Sequence, residues 1–143
     1  MDNFEMLKLE NQLCFPLYAA AKEVVRKYRP FLEELDLTYT QYIAMMVFWE
    51  EESISVKKLG ERLFLDSGTL TPVLKSLEKK GYIKRKRSKE DERVMIAELT
   101  NEGLRLRSKA AEVPEKMAGC LNISDEEAKQ LYITLYKILN TEE

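Results

Sequence analysis

The sequence predicts a mainly α-helical chain with a small β-wing, arranged as a winged helix-turn-helix. Three observations carry that prediction. Between Val56 and Thr100 a short helical period, a break, a second helical period and a charged hairpin follow one another. Positive charge gathers on the same stretch. Helical patterns flank it on both sides, and a small winged helix does not need them for its own core.

Within the central stretch, Leu59 and Leu63 give the first helix its apolar side. Asp66, Ser67 and Gly68 break the pattern, and Leu70, Val73, Leu74 and Leu77 resume it. Gly81 stops the second helix, because a left-handed residue is needed there and glycine adopts it without a Cβ clash. A basic run from Tyr82 to Arg87 follows, then a polar tip, Lys89-Glu90-Asp91-Glu92, then a return strand, Val94 to Leu99. The polar start of the second helix is what a DNA major groove would meet.

The whole chain carries a net charge of −2, from 23 basic and 25 acidic residues. From Lys75 to Arg93 nine basic residues face four acidic ones, a net +5, so the remainder sums to −7. A mildly acidic protein with its positive charge on one module suits DNA better than a membrane surface. The plainer alternative is a solvated hairpin without a partner. The charge falls on the module whose geometry needs it, which favours DNA.

At 143 residues, 45% of them hydrophobic, the chain fits a single subunit with an ample core. No apolar run approaches the roughly 20 residues of a membrane span. The start, Met1 to Glu5, is acidic and lacks a signal-peptide pattern, so a cytoplasmic location is expected. The chain has no histidine, which removes the usual general base and the commonest metal ligand. Two cysteines alone make no zinc site. An enzyme, a bound metal and a cofactor are therefore not expected, nor is a permanent structural disulfide in the cytosol.

From Leu7 to Tyr28 apolar residues recur at helical spacing, with Pro16 inside the pattern. Either the helix begins near Asn11, with Pro16 close to its start, or a longer helix kinks at Pro16. In the first case Cys14 lies in the opening turn, where the helix dipole favours a thiolate. The alternative for Cys14 is a small buried hydrophobe. Arg29-Pro30 is read as the end of this helix, since a residue before proline is pushed out of the α region. Phe31 to Leu35 reads as a separate short turn.

Thr38 and Gln41 form a capping box for an apolar helix, Tyr42 to Trp49, expected to be the central buried element. Ser55 caps the next helix. Thr100 caps one running to Glu112, with Leu104, Leu106, Ala110 and Ala111 inward, until Pro114 kinks or ends it. Ser124 and Glu127 form a second capping box before an amphipathic stripe from Ala128 to Leu139. Residues 1–36 and 101–143 are thus expected to form a helical dimerisation region, and 37–100 the DNA-binding lobe. A two-fold reader of palindromic DNA wants a dimer. An intramolecular helical cap is the alternative use of those helices.

Residues 59–72, LGERLFLDSGTLTP, with Lys80-Gly81-Tyr82-Ile83 and Asp91-Glu92-Arg93, resemble MarR-type transcriptional regulators. Leu9 to Phe15, LENQLCF, and Leu37-Thr38-Tyr39 narrow the resemblance to the organic-hydroperoxide-resistance repressors and their thiol-sensing relatives. The likeness spans nearly the whole chain. It implies a MarR-like homodimeric repressor whose N-terminal cysteine is oxidised by an organic hydroperoxide, after which the palindromic operator is released. By matching positions, Cys14 is the sensing cysteine. Tyr28 and Tyr39 are the tyrosines that hydrogen-bond its sulfur in a pocket completed across the dimer. Ser67, Gly68, Thr69, Thr71 and Lys75 fall on the recognition helix, and Arg85, Lys86 and Arg87 on the basic strand. By the same resemblance Arg93, supported by Asp91, matches the wing-tip arginine that enters the minor groove.

Two positions depart from that pattern. Pro16 stands where relatives carry an ordinary helix former. Cys120 lies close to where two-cysteine members keep a resolving cysteine. Without the resemblance, Tyr28 and Tyr39 read as amphipathic packing, and Arg93 as an ion-pair partner of Asp91 or Glu92. Apolar neighbours Phe15 and Leu17 suit an alkyl or lipid hydroperoxide. The competing functions are a repressor answering a phenolic ligand, a more general thiol-based redox or virulence regulator, and a peroxidase.

Overall fold

The computed structural model describes residues 2–140. Met1 and residues 141–143, which the single-subunit reading includes, lie outside the described residues. Two 3-10 turns, Glu5–Leu7 and Leu9–Asn11, lead into helix α1, Cys14–Glu33. Then come α2 (Tyr39–Glu51), β1 (Ser53–Ser55), α3 (Val56–Leu63), α4 (Ser67–Lys79), β2 (Ile83–Arg87) and β3 (Met95–Leu99). The chain continues through α5 (Asn101–Ala110), α6 (Val113–Ala118) and α7 (Asp125–Leu139). This is the predicted helical protein with a small β-wing.

Helix starts are set by side-chain oxygens that accept orphan backbone N–H groups, each worth about 1 kcal/mol. Thr38 accepts from Gln41, Ser55 from Lys58, Asp66 from Thr69, Thr100 from Gly103 and Ser124 from Glu127. Both expected capping boxes form. Gly81 takes φ +83° after α4, as expected. Ser67 and Gly68, read as part of the break, instead open α4, because Asp66 supplies the cap one residue earlier.

Four further expectations are corrected. Helix α1 starts at Cys14 rather than near Asn11, so Pro16 is its third residue. An N–H at that position has no intrahelical acceptor, so the proline sits in the first turn without interrupting the helix. Arg29-Pro30 does not end α1, which runs on through Phe31 to Glu33. An interior proline costs about 3 kcal/mol. Continuing buries Leu32 and Leu35 to 2% and 5% exposure, worth about 1.5–3 kcal/mol each. Burial wins.

The helix after Thr100 ends at Ala110, and Pro114 sits inside the first turn of a separate α6, where proline is tolerated. In α5, Leu106 and Ala110 are buried while Leu104 and Ala111 are exposed. Strand β1 was not foreseen. Its three residues, Ser-Ile-Ser, are too short a run to signal a strand, and they form one because β3 offers them a partner. Ser53, Ile54 and Ser55 pair antiparallel with Glu98, Ala97 and Ile96. On the other edge of β3, β2 pairs from Ile83 with Leu99 to Arg87 with Met95, giving the order β1-β3-β2.

The core gathers around α2, whose Ala44, Met45 and Phe48 are fully buried. Leu59 of α3, Leu70, Leu74 and Leu77 of α4, Ile83 of β2 and Ala97 of β3 close on it. The Trp49 indole N–H donates to the Gly103 carbonyl at 2.8 Å, tying α2 to the start of α5. Helix α7 has no buried residue among those described and turns Leu131, Tyr132, Ile133, Tyr136, Ile138 and Leu139 to solvent in the single chain.

Helices α1 and α2 meet through three phenols. The Tyr28 ring lies 4.9 Å from Tyr39 and 5.8 Å from Tyr42, and Tyr39 and Tyr42 are 6.3 Å apart. Burial pushes the Tyr42 phenol up from 10.0 to about 12, and raises Tyr28 and Tyr39 in the same direction. The unfolded chain therefore ionises first as the solution becomes alkaline. Stability from these neutral phenols is intact below about pH 10 and is lost as pH rises toward about 12. Urea unfolding at stepped pH should show that decline, and Tyr42→Phe should flatten it and remove the last phenolate from the ultraviolet titration. An unchanged slope would place the ionising group elsewhere.

Candidate functional site

Two groups of residues stand out, one on the α4–wing face and one at the two ends of the α1–α2 packing. On the first, Asp66 fixes the opening turn of α4 by accepting the Thr69 N–H at 2.8 Å. That bond, reinforced by the Thr69 hydroxyl, holds the Asp66 carboxyl below its usual range. Ser67, Gly68 and Thr69 are exposed on this turn, and Lys75 is exposed two turns on. The Thr71 hydroxyl is half-buried and donates to the Ser67 carbonyl at 2.7 Å, so its oxygen is already engaged within the helix.

The wing's cations divide by what they touch. Arg85 turns inward and grips Glu78 of α4 with its Nη2 at 3.1 Å from Oε1 and its backbone N–H at 3.1 Å from Oε2. That pair locks the wing to the helix and holds the Glu78 carboxyl below its ordinary value. Lys86 pairs across the strands with Glu98 at 2.8 Å. Arg87 is exposed and makes no ion pair among the described residues.

At the wing tip, Arg93 donates to both carboxylate oxygens of Asp91, at 3.1 and 3.2 Å, and its backbone N–H also meets Asp91 at 3.1 Å. The Arg93 side chain is nonetheless 90% exposed, so the carboxylate aims it without covering it. The same contacts lower the Asp91 carboxyl. An open concavity of about 1390 Å³ lies between α3, the start of α4 and this tip, with Ser67 and Arg93 both on its wall.

On the second group, Cys14 is the first residue of α1 and is exposed. Leu13 precedes it without a side-chain cap, and among the described residues no side chain is seen bonded to the first-turn amides. Exposed Leu13, Phe15 and Leu17 make its surroundings apolar. Tyr28 lies on the same unbroken helix, fourteen residues on, and about 1.5 Å per residue puts it about 21 Å away. One chain therefore does not bring Cys14 to Tyr28 and Tyr39.

Cys120 follows α6 and is half-buried, its thiol facing the Lys116 carbonyl at 3.4 Å. Lys116 approaches Glu34 at 3.7 Å, so α6 packs by the C-terminal end of α1, away from Cys14. Among the described residues no group of three His, Cys, Asp or Glu side chains is placed to hold a metal, and no helix is long and apolar enough to cross a membrane.

Sequence reasoning missed three contributors. Tyr42 completes the phenol cluster but read as one more apolar position of a buried helix. Glu78 holds the wing, across seven residues of chain that carry no pairing signal. Phe64, in the turn before α4, is 55% exposed and left-handed at φ 55°, and a bulky apolar residue inside a turn was the available hint.

A family model described as "Transcriptional regulator SarA/Rot" matches residues 26–110. The organic hydroperoxide resistance transcriptional regulator of Bacillus subtilis is 50% identical over 142 residues, covering 99% of this chain and 97% of that protein. The HTH-type transcriptional regulator SarZ of Staphylococcus aureus is 49% identical over 123 residues, covering 86% and 83%. Among solved structures, reduced AbfR bound to DNA superposes with a TM-score of 0.79 at 33% identity, over 96% of each chain. AbfR is a protein of Staphylococcus epidermidis. Its overoxidised, DNA-bound form gives 0.78 and its disulfide form 0.67, at the same identity and over 95–96% of this chain. With a family model over more than half of its length and a relative at half identity along nearly all of it, this chain belongs to the MarR-type transcriptional regulators of the SarA/Rot and organic-hydroperoxide-resistance group.

Proposed function

We propose that the protein is a cytoplasmic, homodimeric transcriptional repressor that senses organic hydroperoxides by oxidation of Cys14 and then releases a palindromic operator. The observation that carries the sensing half is the division of the thiol site along α1. An exposed cysteine opens the helix, and Tyr28, the first of the phenols that would hydrogen-bond its sulfur, lies about 21 Å further along it, packed against Tyr39 of α2. Only a second copy, laid against the first, closes that gap. The exposed apolar faces of α1 and α7 give such a copy its surface. The relatives support this reading: the Bacillus subtilis protein is an organic hydroperoxide resistance regulator, and AbfR has solved structures in reduced, overoxidised and disulfide forms.

In the proposed chemistry the Cys14 thiolate attacks the terminal oxygen of the hydroperoxide. The S–O bond forms as the O–O bond breaks, the alkoxide leaves as the alcohol after taking a proton, and sulfur becomes a sulfenic acid. The open first turn of α1 supplies positive potential, and Tyr28 and Tyr39 of the second copy supply hydroxyls. Leu13, Phe15 and Leu17 favour an alkyl or lipid peroxide. On the output side, Ser67, Gly68, Thr69, Thr71 and Lys75 lie along the major groove. Lys86 and Arg87 meet phosphates, Arg93 held by Asp91 enters the minor groove, and Arg85 serves by fixing the wing to α4.

A sulfenic acid at Cys14 can condense with the Cys120 thiol, forming a disulfide and releasing water. Within one chain α1 holds the two cysteines at opposite ends, far beyond the roughly 7 Å between Cα atoms that a disulfide spans. The bond would therefore join two chains.

Three outcomes test these roles. In mobility-shift titrations with an organic hydroperoxide, Cys14→Ser should keep the operator at doses that release wild type; release at the wild-type dose sinks the sensing role. Peroxide should produce a covalent dimer on a non-reducing gel that either Cys14→Ser or Cys120→Ser abolishes; its absence makes the protein a one-cysteine sensor. Arg93→Ala should weaken operator binding by about 1–3 kcal/mol and leave the dimer intact in sedimentation, whereas unchanged affinity refutes the minor-groove contact.

A further inference from the structure

Apart from the Tyr42 phenol, Gln41 is the one buried polar side chain among the described residues, at 7% exposure, and every polar atom it owns is engaged. It stands in the first turn of α2, between Tyr39 and Tyr42 of the phenol cluster. Its Oε1 accepts the Thr38 N–H at 3.0 Å, closing the capping box, and also accepts from the Lys80 ammonium at 3.1 Å. Its Nε2 crosses to α4 and donates to the Ser76 hydroxyl at 2.8 Å. Lys80 in turn meets the Asp36 carbonyl and, at 3.7 Å, the Asp36 carboxylate. One carboxamide thus fastens the turn that carries the phenols to α4 at two points, Ser76 and Lys80, one helical turn apart.

A helix cap is usually satisfied by water when its side chain lets go. Here the carboxamide itself is buried and its bonds to Ser76 and Lys80 are part-buried, so a moved carboxamide gives up partners that water replaces only in part. Displacement of Tyr39 and Tyr42 by even a fraction of an ångström therefore has two results: α4 follows the α2 turn, or the Gln41–Ser76 bond breaks and α4 is released from it. Either result reaches the helix whose exposed start carries Ser67, Gly68 and Thr69.

We infer that Gln41 is a positioning residue that couples the phenol cluster to the recognition helix through Ser76. This rests on the sensing reading for its purpose, because the cluster is where a second copy's Cys14 would lodge. The coupling itself is independent of peroxide and runs both ways by linkage: DNA on α4 must be felt at the phenols.

The test uses the full-length dimer in four versions: wild type, Gln41→Met, Ser76→Ala and Ser76→Thr. Met keeps the volume of Gln without its hydrogen bonds, and Thr keeps the hydroxyl. Ring signals of ¹³C-labelled tyrosine are followed while a duplex carrying the promoter beside the protein's own gene is added to the reduced protein. Binding should shift the Tyr39 and Tyr42 signals in wild type and Ser76→Thr, and leave them in place in Gln41→Met and Ser76→Ala. A parallel mobility shift with hydroperoxide should show the oxidised-to-reduced affinity ratio falling by a factor of about 2 to 30 in those two variants.

A role confined to stability would lower the thermal midpoint and preserve both the tyrosine shifts and the ratio, and that result overturns the inference. So do tyrosine signals that ignore DNA in wild type. A wild type that shows the shifts and does not answer peroxide removes the sensing reading and leaves the coupling standing.

Discussion

Helix α1 runs unbroken from Cys14 to Glu33, and that continuity sets the spacing on which the rest of the proposed site depends. Two prolines lie on it and neither interrupts it. Pro16 occupies a first-turn position where no N–H is required, and Pro30 is carried by the burial of Leu32 and Leu35. A kink at Pro16 would have swung Cys14 away from the helix axis. An end at Pro30 would have released the segment that anchors α1 to the core. The continuous helix instead holds Cys14 exposed at its start and Tyr28 half-buried fourteen residues on, where it meets Tyr39 and Tyr42 of α2.

The wing is organised by a similar economy of charge. Surface ion pairs contribute only about 0–1 kcal/mol each, so the Arg85–Glu78 and Arg93–Asp91 contacts matter little as stability. Their consequence is posture. Arg85 spends its guanidinium on α4 and thereby fixes the wing's angle, while Arg93 keeps its head exposed and has only its direction fixed. Of a hairpin that reads simply as basic, part of the charge is internal scaffolding, while Arg93 and Arg87 remain outward.

Much of this was legible in the chain because it is local. Thr38 with Gln41, Ser55, Thr100 and Ser124 with Glu127 each announce a helix start within four residues, and Gly81 announces a stop. What could not be read depends on partners distant in sequence. Strand β1 exists only because β3 offers an edge, Pro30 is tolerated only because a core lies beneath it, and Glu78 matters only because β2 returns past it. Gln41 was recognised as a cap, yet its second partner, Ser76, lies 35 residues away. The charge excess marked the α4–wing face, while nothing in periodicity separated Tyr42 from its apolar neighbours.

The two sites are joined by α2, and this gives the proposed switch its logic. The first turn of α2 carries two of the phenols and, through Gln41, a part-buried bond to α4. If the thiol that reaches those phenols belongs to a second chain, each sensing site is built across the two-fold axis. Oxidation at one sulfur then alters a contact between subunits as well as the footing of one recognition helix. A palindromic operator reads two half-sites at a set separation of about 34–36 Å or its multiples, so the spacing and angle between lobes is the quantity it tolerates least. In the proposed switch, a small chemical change on the Cys14 thiol would act on that quantity directly, without any contact to a base having to change first.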